Sequence, residues 1–211
     1  MRFWTAGRRR RPEAAPAPEP APPPSSPLTT VRVRTAANRD ARSFGRRDSD
    51  FAFDRVFIPS LVLDHTELVL RQAGVGGDEG FAIWAGTIAD QDAYVATLVV
   101  PRASAGSTHG EISAETTASV MLALDDRDLV PLLQLHTHPQ RAFLSPTDAI
   151  RPLVAVTGFI SVVIPDFGFV DLADVTLWSA HQLIGPSRWR ELTADEKRRR
   201  FIVDDSIIRV E

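Results

Sequence analysis

The chain has 211 residues, 24 basic and 27 acidic side chains, a formal charge of −3, 16 prolines and no cysteine. The missing cysteine excludes a disulfide framework, a thiol nucleophile, an iron–sulfur cluster and a Cys-ligated zinc finger. With 44% apolar residues but no apolar run near the ~20 that span a bilayer, and no apolar segment behind the basic start, a globular cytoplasmic protein is expected.

In chain order, residues 1–50 come first as a basic tail, with 11 arginines against 5 acids. Eight of the prolines fall between Pro12 and Pro27, a stretch with few backbone donors and little to bury, so polyproline II and disorder are expected. Arg8–Arg11 reads as a solvated tail or as a contact for an acidic partner or nucleic acid. Thr30–Thr35 alternates like an edge strand. From Phe51 to Glu211 the pattern is that of one packed, net acidic domain.

Arg55–Ile58 reads as a strand. Pro59-Ser60 opens a helix carrying Leu61, Leu63, Leu68 and Leu70, and Gly74–Gly77 ends it. Phe81–Ile88 and Ala93–Val100 form a hairpin around Ala89–Asp92. A loop over 101–110, a helix over Ala114–Leu124 and a strand over Leu132–Thr137 follow. Phe159–Ile164, Phe167–Leu172 and Val175–Trp178 read as further strands. Thr193-Ala-Asp-Glu196 is a capping box for a last helix whose end, Lys197–Arg200, is expected to be solvated. Ser206–Val210 reads as a final strand. The expected fold is mixed α/β, a mixed sheet flanked by helices.

The segment with most chemistry is Leu135-His-Thr-His-Pro139 and Leu144-Ser-Pro-Thr-Asp148. Residues i and i+2 of a strand share a face, so His136 and His138 can converge on one ion, with Asp148 as an oxygen ligand and a fourth position left for water. The same residues also fit plainer roles. A histidine pair can be a polar strand face, and Ser145-Pro-Thr-Asp148 is a complete helix start by itself. His109-Gly-Glu111 can line a cleft or lie on the surface. His65, on the first helix, and His181, in a late loop, lack ligand spacing. Trp84 and Trp178 read as core, and Trp189 as packing near the last helix.

His136-x-His138-Pro139 followed by Ser145-x-x-Asp148 resembles the metal-binding motif of the JAMM (MPN-plus) metalloproteases. Their upstream glutamate has a counterpart in Glu79, seven residues before Gly86 in Asp78-Glu-Gly-Phe-Ala-Ile-Trp-Ala-Gly86, with Ala82 where many members have glycine. The resemblance covers residues 55 to about 180. It implies the JAB/MPN fold, a curved mixed sheet related to that of the cytidine deaminases. It also implies one zinc ion held by His136, His138 and Asp148, with Glu79 as general base and Ser145 as oxyanion donor.

The same resemblance implies an isopeptidase or peptidase cutting after the C-terminal glycine of a ubiquitin-like protein. Its partners would be that protein or its conjugates, with the activating or conjugating enzymes of the same pathway. Neither nucleic acid nor a membrane is expected as a partner. The alternatives are a non-catalytic scaffold with the same fold and a zinc hydrolase of small amides or peptides.

Overall fold

The computed structural model describes residues 51, 53–101 and 112–204. The basic tail, the Thr30–Thr35 strand, His109-Gly-Glu111 and the Ser206–Val210 strand lie outside the described residues. Among the described residues, no helix is long and apolar enough to cross a membrane.

Among the described residues, eight strands form one mixed sheet, in the order β7-β6-β5-β4-β2-β3-β1-β8. They are β1 (Arg55–Pro59), β2 (Phe81–Ala89), β3 (Asp92–Val99), β4 (Val130–Thr137), β5 (Ile160–Ile164), β6 (Ser179–Gly185), β7 (Arg188–Glu191) and β8 (Phe201–Asp204). The α-helices described with them are α1 (Ser60–Val75), α2 (Ala114–Asp125), α3 (Pro146–Ile150) and α4 (Ala194–Arg200).

The period-2 pattern of β2 assigns the two faces of the sheet. Ala82 and Trp84 join the main core with Leu63 and Leu70 of α1. Ile83 and Ala85 pack instead with Val120 and Leu124 of α2. On α1 the buried stripe is Leu63, Thr66 and Leu70, at helical spacing, while Leu61 and Leu68 are exposed. Thr66 accepts the Trp84 indole N–H at 2.8 Å, so this fully buried indole keeps a partner for its donor. The register of β2 shifts at Ala85, first against β4 and then against β3. At this irregularity a Cβ on Gly86 would lie 1.9 Å from the Tyr94 carbonyl oxygen, so only glycine fits.

The C-terminal third departs from the sequence reading. Phe167–Leu172 is not a strand. Asp166, Phe167 and Gly168 all have positive φ and make a tight 3-10 turn behind Pro165. Arg71 holds this turn by donating to the carbonyls of Gly168 and Val170. Val175–Leu177 is a 3-10 turn capped by the Asp174 carboxylate, and the strand starts only at Ser179. His181 therefore lies on β6 rather than in a loop.

Lys197 is not solvated. It is 6% exposed, and its ammonium donates to the carbonyl oxygens of Thr176 and Trp178. The basic side chain nearest the start of α4's last turn folds back to close the end of a 3-10 turn instead of facing water.

Candidate metal centre

β4 is a central strand, and its apolar run Leu132–Leu135 leads directly to the histidine pair. Ile83 pairs with Gln134 and Phe81 with His136. Since paired residues share a face, His136 points to the α2 side, away from the main core. His136 and His138 are 6% and 7% exposed, and their rings lie 5.1 Å apart. The strand ends after Thr137, before Pro139.

Asp148 reaches the same point from α3. Ser145 Oγ accepts the Asp148 N–H at 3.2 Å, and Asp148 Oδ2 accepts the Ser145 N–H at 2.8 Å, a complete capping box with Pro146 behind the cap. The helix start and the candidate ligand are therefore one device, because the cap fixes the carboxylate. Asp148 Oδ2 lies 3.3 Å from His136 Nε2 and 3.6 Å from His138 Nε2. Burial pushes the Asp148 carboxyl up. The nearby His136 and His138 imidazoles and the Ser145 hydroxyl outweigh this and hold it well below the usual carboxylate range.

These distances suit a metal ion. Bonds of about 2.05 Å around a tetrahedral ion put neighbouring donor atoms roughly 3.3 Å apart. The three ligand atoms of His136, His138 and Asp148 all lie within 4.8 Å of one another. His136 Nε2 is buried and has no hydrogen-bond partner among the described residues. A buried polar atom left unpaired is costly, and a cation at this point would satisfy it.

Two concavities share Glu79, Thr147 and Asp148 as a common wall. One, of about 270 Å³, also contains His136, Phe81, Gln134 and Leu153. The other, of about 360 Å³, contains His138, Ser145, Arg141 and Phe143. The ring of Phe143 stands edge-on to His138 at 4.7 Å and is half exposed. All five residues singled out from the sequence thus border these two adjoining concavities, with Glu79 and Ser145 beside the three candidate ligands.

Sequence reasoning missed the groups that hold this arrangement. Trp189 does not simply pack near the last helix. It lies on β7 and donates its indole N–H to the Ala149 carbonyl at 2.9 Å, one residue beyond Asp148. Gln134, buried two residues before His136, accepts the Leu153 N–H at 2.7 Å and donates to Ser161. Both contacts tie the segment after Ser145 to the sheet, across 40 and 19 residues of sequence that no local pattern connects. His65 is an exposed residue of α1. His181 shares a hydrogen bond with Ser179 at 2.8 Å, and burial lowers its pKa; neither histidine belongs to the candidate group of His136, His138 and Asp148.

No family model matches the chain. It is 32% identical over 144 residues to a Sinorhizobium fredii protein named probable metalloprotease y4jG, a match spanning 65% of this chain and 86% of the relative. Among solved structures it is similar to a solution structure from Desulfitobacterium hafniense, with TM-score 0.47 and 16% identity over 72% of this chain and 95% of that one. A second, from Salinibacter ruber, gives TM-score 0.45 and 21% identity over 74% and 95%.

Proposed function

We propose that this chain, which belongs to the metalloprotease family of the Sinorhizobium fredii relative, is a zinc-dependent isopeptidase or peptidase that cuts after the C-terminal glycine of a ubiquitin-like protein. Metal-dependent hydrolysis follows from the family. Zinc, the JAMM-type mechanism and the ubiquitin-like substrate are our reading of the residues. The observation that carries it is the buried, unpaired His136 Nε2 facing the carboxylate of Asp148 and the imidazole of His138. Two nitrogens and one carboxylate oxygen are a donor set typical of a catalytic zinc site, which keeps its fourth position open.

Bound there, zinc supplies Lewis acidity, polarising the scissile carbonyl and lowering the pKa of a water from 15.7 to about 7. His136 and His138 hold their positions from the end of a central strand, and Asp148 from a capped helix start. The carboxylate of Glu79, on the wall common to both cavities, accepts the proton of the attacking water and passes it to the leaving amine. The Ser145 oxygen already accepts the Asp148 N–H, so its own proton is the group that donates to the developing oxyanion. The cleft extends to both sides of the ligand group, which supports a substrate that continues beyond the scissile bond in both directions. This favours a peptide or isopeptide over a small amide.

The test is metal analysis of the purified chain, then cleavage of ubiquitin-like fusions and isopeptides with and without chelator. The expected result is one zinc per chain and chelator-sensitive cleavage. Glu79→Gln should retain the zinc and lose the cleavage. A protein with neither metal nor activity would instead be a scaffold. Zinc with activity confined to small amides would exclude the ubiquitin-like substrate.

A further inference from the structure

We infer that Thr137, the residue between the two histidines, is a positioning residue that fixes Glu79 through the backbone of Gly80; the inference rests on the base role proposed above. The paired part of β2 and β4 ends at Phe81 and His136. One residue further, Thr137 N–H donates to the Gly80 carbonyl at 3.0 Å, and Gly80 N–H donates to Thr137 Oγ1 at 2.7 Å. A single threonine therefore satisfies both polar groups of Gly80, using its side chain where the strand ladder has run out. The next residue, His138, has already turned to the other neighbour, donating its N–H to the Ile164 carbonyl.

The surroundings make this pairing hard to replace. Thr137 is fully buried, so no water stands by to take over from the hydroxyl. The far side of Gly80 is closed by α1, where a Cβ would meet Leu70 Cδ2 at 2.9 Å and Leu70 Cα at 3.1 Å. Gly80 is thus held between a helix and a strand. Glu79, one residue upstream and lining both cavities, departs from a fixed peptide. The hydroxyl joins segments 57 residues apart, one carrying the base and the other the histidine ligands. Alternation sends the Thr137 side chain to the face opposite both imidazoles, so it holds the base without touching the metal position.

The test compares the full-length wild type with Thr137→Val, which keeps the shape and removes the acceptor, and with Thr137→Ser, which keeps the hydroxyl. Three readouts are used: zinc content, steady-state kinetics on a cleaved ubiquitin-like fusion, and exchange of the Gly80 amide in metal-free protein. Thr137→Val should bind one zinc with unchanged KM, while kcat falls roughly 10- to 100-fold, the scale of a small misplacement of a catalytic group. Its Gly80 amide should exchange roughly tenfold faster. Thr137→Ser should restore kcat and Gly80 protection.

Unchanged kcat or unchanged Gly80 protection in Thr137→Val overturns the inference. So does loss of zinc together with activity, which would mean that Thr137 holds the histidines and not the base. If Thr137→Val does not fold, Thr137→Ala against Thr137→Ser carries the same comparison, and equal kcat for those two is refuting. A wild type without metal or cleavage removes the functional reading and this inference with it. A cleaving wild type indifferent to the hydroxyl removes this inference alone.

Discussion

Replacing Ser145 separates two duties carried by one hydroxyl. Its oxygen caps α3 by accepting the Asp148 N–H, and in the proposed mechanism its proton goes to the oxyanion. Alanine removes both functions. Glycine removes the donor but, at a helix N-cap, costs only a few tenths of a kcal/mol where alanine costs about 1 kcal/mol. No residue of α3 is buried, so the cap is a principal hold on the helix that presents Asp148. A loss of about 1 kcal/mol in that hold weakens zinc binding by at most about fivefold. Loss of an oxyanion donor costs about 2.7–4 kcal/mol, or 10² to 10³ in kcat. Ser145→Ala should therefore show both losses, and Ser145→Gly a kcat loss of the same size with nearly unchanged affinity. Competition with a chromophoric chelator measures the affinity, and steady-state cleavage measures the rate. Near-wild-type turnover in Ser145→Gly would refute the donor role. Weaker zinc binding in Ser145→Gly than in Ser145→Ala would refute the cap argument.

Two further outcomes test the supporting structure. Trp189→Phe keeps most of the ring and loses the hydrogen bond to Ala149, a net loss of about 0.5–1.5 kcal/mol, so zinc affinity should fall by about 2- to 13-fold, with a Tm decrease of no more than about 6 °C. Unchanged affinity, with unchanged amide exchange over residues 149–153, would show that β7 does not hold the ligand helix. The second outcome concerns pH. The Thr193 backbone N–H and then the Arg190 guanidinium hold the Glu196 carboxyl down at about 2, from an ordinary 4.5. A carboxyl lowered by folding stabilises fully above its unfolded value and loses that contribution as pH falls toward the folded one. Thermal melts should thus show wild type losing stability more steeply than Glu196→Gln between pH 4.5 and 2. Asp148 titrates in both proteins and cancels in the difference; parallel curves would contradict the argument.

Local signals were legible in the sequence where one short segment contains the whole cause. Both capping boxes, Ser145 with Asp148 and Thr193 with Glu196, start helices where the side chains indicate. The hairpin of β2 and β3 follows from two β-rich runs around a polar turn, and the strand that ends at the histidine pair from its apolar run. Local composition also misled: Phe167–Leu172 reads as a strand, but Pro165 and three successive positive φ values turn the chain, held by an arginine from α1. β7, Arg188-Trp-Arg-Glu191, lacks an apolar signature because it borders the sheet and has mostly exposed side chains. The candidate ligands were legible because their spacing is local. Their supports, Thr137 to Gly80 and Trp189 to Ala149, join residues whose proximity only the folded sheet creates.

The buried ammonium of α4 has a practical consequence. Lys197 is the only side-chain amine in the whole sequence, and its nitrogen is occupied by two carbonyl oxygens. An acylating reagent can reach it only when α4 lifts from the 3-10 turn beneath it. The rate at which Lys197 is labelled is therefore a clock for that opening, readable by mass spectrometry on the unmodified chain. The same occlusion means that the folded protein offers no lysine to an enzyme that builds isopeptide bonds, so a protein of the proposed activity would not present itself as its own substrate.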